Sequence, residues 1–91
     1  MSQCPSDAEI TDVILALTAA RGPAKSICPS EAARYLAGEG GDWRALMGDV
    51  RRVAADLASA GKIEITQGGQ PVATGPVSGP VRLRITRDGA G

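Results

Sequence analysis

Arg44, Arg51 and Arg52 in D-W-R-A-L-M-G-D-V-R-R-V, Arg82 and Arg84 in V-R-L-R-I, and Lys25 in G-P-A-K-S are the residues of this chain best equipped to do chemistry. Eight of its ten cations are arginines. A guanidinium is a planar, permanently charged fork that grips phosphate or carboxylate through two parallel hydrogen bonds, which a lysine cannot do. The chemistry indicated is anion recognition: phosphates and guanine edges of duplex DNA, or carboxylates on a protein partner. Covalent chemistry has much less to work with. Histidine is absent, no pair of carboxylates or Ser–His set stands out, and Cys4 and Cys28 are the only thiols. That inventory argues against an enzyme, a zinc site or a cofactor. Cys28 precedes a helix, where the helix dipole lowers a thiol pKa, so a redox or small-molecule sensor is a third option; a small plug at a helix start is the simpler reading. Gly22–Ser26 lacks the first glycine and the spacing of a phosphate loop, and reads as a helix stop followed by a solvated lysine. Lys25 with Arg34 near the start of the second helix is a weaker anion site.

The element that must position most of these arginines is Asp42–Gly61. Trp43, Met47, Val50, Ala54 and Leu57 recur at spacings of four and three, so one helix is expected, apolar on one side. Leu46, Val53 and Ala58 widen that side, and Arg44, Gly48, Arg51, Arg52 and Ala55 fall opposite. Asp42 is the expected N-cap and Gly61 the stop. Arg52 and Asp56 stand four apart and form an expected surface pair. Trp43 is expected to anchor the core and Tyr35 to be a partly buried cover; two isolated aromatics exclude the interleaved stacking of single-strand binders.

Two helices precede it. Ser6 or Asp7 caps a first helix over Asp7–Ala20, with Ile10, Val13, Ile14 and Leu17 on a single stripe. Arg21-Gly22-Pro23 ends it. Pro29 opens a short second helix carrying Ala32, Ala33, Tyr35 and Leu36, and Gly38–Gly41 breaks it. Ile27, in the connector, is a candidate for brief pairing with a strand. After Gly61 the period changes: Lys62–Gln67 and Val81–Thr86 alternate polar and apolar residues and read as strands, with Val81, Leu83 and Ile85 inward. Gly68–Pro80, holding four glycines and three prolines, reads as a long hairpin loop, with Pro71-Val72 a possible extension of the first strand. Residues 1–6 are an arm and 87–91 a tail. Helix, helix, helix, strand, wing, strand is the winged helix-turn-helix plan: an α+β fold of three helices followed by a two-stranded antiparallel β-hairpin, in one domain over 1–91.

Composition bounds the rest. An apolar share of 43% supports one core, but with no Phe, one Trp and one Tyr it must be built from aliphatic side chains. Net charge is zero, so nothing pulls the whole chain toward nucleic acid or a membrane. Its halves differ: residues 1–42 carry three basic and six acidic groups, residues 43–91 seven basic and four acidic. No stretch resembles a signal peptide or a membrane span, so a reduced cytoplasm is the expected location.

The stretches A-R-G-P-A-K-S-I-C-P-S-E-A-A-R-Y-L, D-W-R-A-L-M-G-D-V-R-R-V-A-A-D-L-A-S-A-G-K-I-E-I-T-Q-G-G-Q-P-V and G-P-V-R-L-R-I resemble an uncharacterised bacterial family of small winged-helix proteins, catalogued as a domain of unknown function. The resemblance runs from about Ala8 to Ile85. It implies a winged-helix fold and carries no activity or catalytic residue with it. In helix-turn-helix domains the third helix lies in the major groove. The expected function is therefore duplex-DNA binding, as a regulator or accessory module, through Arg44, Arg51, Arg52, Arg82, Arg84 and Lys25. The alternative is a protein–protein adaptor that uses the same face. Oligomeric state is left open.

Overall fold

The computed structural model describes residues 5–68, 70–71 and 81–86. Most of the expected arm, nearly all of the wing loop, and the tail lie outside the described residues, as does Cys4.

Helix α1 (Asp7–Arg21) starts where the sequence asks it to. The Ser6 hydroxyl accepts the Glu9 N–H at 3.2 Å and the Glu9 carboxylate accepts the Ser6 N–H at 3.4 Å, so two otherwise orphaned donors are satisfied reciprocally. The buried stripe is Ile10, Ile14 and Thr18, while Val13 and Leu17 are only partly covered. The core face is thus turned from the expected one: Thr18 enters it because its hydroxyl donates to the Ile14 carbonyl at 2.7 Å and needs no other partner. Gly22, at φ 84°, stops the helix, a conformation that strains any side chain with a Cβ.

The connector is tied to the sheet at one point. Ile27 exchanges two backbone hydrogen bonds of 2.8 Å with Leu83, the expected brief pairing. Helix α2 (Pro29–Ala37) follows, with Pro29 in its first turn and Ala32 and Ala33 fully buried. Small buried residues let α2 lie close to both α1 and α3. Tyr35 on its outer side is 68% exposed, not the half-buried cover expected.

The third segment is not one helix. Trp43–Leu46 forms a 3₁₀ turn, and α3 proper runs Met47–Ser59. Asp42 makes no side-chain capping bond. Trp43, Leu46 and Met47 instead pack at the edge of the core, and that tertiary contact sets the tighter first turn. Beyond it the expected pattern holds: Val50, Val53, Ala54 and Leu57 are buried. Gly61, at φ 78°, ends the segment, and the Lys62 N–H reaches back to the Leu57 carbonyl at 3.0 Å.

Strands β1 (Ile63–Gln67) and β3 (Arg82–Ile85) pair antiparallel, with Ile63 opposite Ile85 and Ile65 opposite Leu83. The chain does not extend β1 through Pro71. It turns at Gly68, and Gln70–Pro71 folds back as a short β2, setting Gln67 opposite Gln70 and Thr66 opposite Pro71. A tight turn satisfies the backbone groups at the end of β1 that an extension would have left unpaired. The sheet order is β2-β1-β3. Thr86 clamps its end, its hydroxyl donating to the Gly61 carbonyl at 2.6 Å. Ile10, Ile14, Ile27, Val50, Val53, Leu57, Ile63, Leu83 and Ile85 meet in one aliphatic core. Three helices followed by an antiparallel strand pair is an α+β layout compatible with a winged helix. Among the described residues, no helix is long and apolar enough to cross a membrane.

Candidate nucleic-acid interface

The apolar side of α3 is buried, and its arginines Arg51 and Arg52 therefore face outward; Arg44, in the 3₁₀ turn before it, is exposed as well. Their surroundings differ, and the difference divides the six candidate cations into three groups.

Arg44 stacks. Its guanidinium carbon lies 4.6 Å from the centroid of the Trp43 ring, and that of Arg34 on α2 lies 4.4 Å from the same centroid. Each contact contributes about 0.5–1 kcal/mol at an exposed site and restricts the plane of the guanidinium without occupying its donors. Trp43 thus has two roles, packing against the core and orienting two cations. Arg34 was legible in the sequence only as a weak companion of Lys25; no local spacing signals that it meets Trp43, because the α2–3₁₀ turn brings them together. Arg51 is the exposed cation further along the same segment.

Arg82, Lys25 and the unforeseen Arg21 gather at the connector. Arg82 donates from Nε to the Ser26 hydroxyl and from Nη2 to the Ser26 carbonyl, both at 2.9 Å. Arg21 donates to the same carbonyl at 3.4 Å and forms an ion pair with Glu31 at 2.8 Å. Lys25, exposed, is the residue before Ser26. The Ile27–Leu83 bridge is what brings strand and connector into register here.

Arg52 and Arg84 hold carboxylates. Arg84 is 3.0 Å from Glu64, its cross-strand neighbour. Arg52 places its fork on Asp7 at the start of α1, at 2.9 and 2.7 Å, with Asp49 at 3.4 Å. Asp49 is a partner at the helical spacing of three, as its position suggests, whereas the expected Asp56 is replaced by Asp7, a residue far away along the chain. A bidentate fit to Asp7 across two helices has better geometry than a flexible pair on one surface.

The Arg52 hydrogen bonds hold the Asp7 carboxyl below its usual value of 3.8. A folded-state pKa below the unfolded one contributes stability above the unfolded value and loses it as pH falls through the folded value. Asp7→Asn is therefore expected to melt slightly below the parent at pH 7, with the gap closing as the pH is lowered beneath 3.8. Thermal melts across that range check it; a gap that persists at the acid end would assign Asp7 a role other than this ion pair.

Cys28 begins α2, its N–H donating to the Glu31 carboxylate at 2.8 Å. Its half-buried thiol accepts the Ser30 hydroxyl at 3.1 Å. Among the described residues, no three His, Cys, Asp or Glu side chains gather as a metal site.

No curated protein matches the chain. A family model does, over residues 7–86, and its span covers all three helices and the strand pair. The chain belongs to the family described as Protein of unknown function (DUF3253).

Proposed function

We propose that the chain is a cytoplasmic winged-helix module that binds double-stranded DNA, with the Trp43–Ser59 segment toward the major groove and the strand pair alongside. The observation that carries this reading is the outward set of Arg44 and Arg51 over a buried aliphatic face, with Arg44 held in plane by Trp43. Guanidinium forks with restricted planes suit phosphate and guanine edges, and ordering them costs less side-chain entropy on binding. Arg82 and Lys25 supply further backbone contacts beside the strands. Arg52 and Arg84 serve as supports, their forks already on Asp7 and Glu64.

The second reading, an adaptor that docks a protein through the same face, is favoured by the zero net charge and by the three arginines already matched to carboxylates. Salt separates the two. With about four phosphate contacts, affinity for a random-sequence duplex falls about a hundredfold between 50 and 200 mM salt. The double variant Arg44→Ala/Arg51→Ala flattens that slope by about two contacts and barely moves the melting temperature. Fluorescence anisotropy on a labelled duplex reads both. Absent or salt-independent binding refutes the duplex reading and leaves the adaptor.

A further inference from the structure

Helix α1 has a second apolar side that the fold only half covers. Its core stripe is Ile10, Ile14 and Thr18. Val13, Ala16, Leu17 and Ala20 stand at i, i+3, i+4 and i+7 on another side, with Ala16 and Ala20 exposed and Val13 and Leu17 half-covered. Tyr35 of α2 stands beside them, the one large apolar side chain that is exposed among the described residues. Asp12, Val13, Ala16, Leu17 and Tyr35 line a shallow groove of about 300 Å³.

We propose that this groove is the contact of a homodimer, in which α1 of a second copy packs antiparallel against it. Two features of the chain select that occupant. The first is size. In a two-fold arrangement centred between Ala16 and Leu17, Val13 lies across from Ala20 of the second copy and Ala16 across from its Leu17. Each large side chain then meets a small one, so the seam is self-complementary, as an isologous interface requires. The second is charge. Glu9 and Asp12 lie in the first half of α1 beside Asp7, which already holds Arg52, whereas Arg21, paired with Glu31, closes the helix and Lys25 follows. Antiparallel packing brings the acidic start of one helix toward the basic end of the other, and opposes the two helix dipoles. Parallel packing would set like charges together. Tyr35 covers the edge of the seam, an aromatic anchor with its hydroxyl at the rim.

The groove itself shares no residue with the proposed duplex contacts; Lys25 alone enters both readings, and none of the substitutions that test the dimer touches it, so the two fail separately. Sedimentation equilibrium of the full chain is expected to give twice the 9.2 kDa chain mass when loaded at about 200 μM. Ala16→Glu places a charge in the seam and weakens self-association at least about tenfold. Ala19→Glu, at an exposed position off the stripe, leaves it intact. With Cys4 and Cys28 replaced by Ser, oxidation of a Val13→Cys chain mixed with an Ala20→Cys chain yields a mixed disulfide, while neither forms one with itself. A monomer at the highest concentration, equal loss in Ala16→Glu and Ala19→Glu, or disulfides between identical positions would each overturn the proposal.

Discussion

Gly41→Ala lowers the melting temperature by about 10–15 °C, from an overpacking cost of about 2 kcal/mol, and moves Trp43 emission toward that of a solvated indole. A Cβ built at Gly41 would lie 2.8 Å from the Ala37 carbonyl carbon and 2.9 Å from the Ala37 Cβ, and would meet the Ala37 carbonyl oxygen more closely still. That neighbour is backbone in the last turn of α2, which buried Ala32 and Ala33 hold against the core. It cannot swing aside as a side-chain tip would. The turn from Gly38 to Asp42 must move, taking with it the 3₁₀ turn, Trp43 and the stacked Arg44. With a single Trp in the chain, emission reports on that displacement without interference. Gly48→Ala is the control. Its Cβ would meet nothing within 4 Å, and it sits in the first turn of α3, where Ala is favoured over Gly by about 0.5–1 kcal/mol. It is expected to raise stability slightly and leave emission unchanged. If Gly41→Ala melts like the parent, the close approach of α2 and the 3₁₀ turn is not as described.

Leu83→Ala is expected to cost more, about 2–5 kcal/mol. Leu83 is fully buried, lies opposite Ile65, and exchanges both backbone bonds with Ile27. It is where the sheet, the connector and the helical core meet. Truncation leaves a cavity that these neighbours, held by backbone bonds, do not close. A chain of this length with almost no aromatic mass has a stability at the low end of the usual 5–15 kcal/mol range, so a loss of this size removes a large part of it. Urea unfolding followed by circular dichroism should show a midpoint displaced far below the parent's with an unchanged m-value. A loss under about 1 kcal/mol would mean that β3 is not part of the cooperative core.

The duplex-binding variants and these stability variants separate the proposed contact surface from the scaffold that holds it. Arg44 and Arg51 are exposed, and their replacement is expected to spare the fold, whereas Gly41 and Leu83 carry no charge to offer a phosphate. A Gly41→Ala chain that still folds but loses duplex binding would show that the placement of the 3₁₀ turn, and with it of Arg44, matters to the interface.

Periodicity decided a great deal. A cap at Ser6 or Asp7, the Pro29 start, the buried face Val50–Leu57 and the alternation of the two strands follow from residue type and spacing, because each depends on neighbours within a few positions along the chain; Ile27 was legible as a pairing candidate, but not its distant partner Leu83. Folding-back had to decide the rest. Whether Arg52 meets Asp56 or Asp7, whether Arg34 reaches Trp43, whether Arg82 and Arg21 share the Ser26 carbonyl, and whether Trp43 begins an α-helix or a 3₁₀ turn all turn on residues far apart in sequence. A guanidinium on a long, flexible stem takes whichever carboxylate, carbonyl or ring the packed helices bring within about 3–5 Å, and local pattern carries no information about that distance. So the chain's own order of residues specified which cations face water, and only the packing of α1, α2 and the sheet specified which of them already have something to hold.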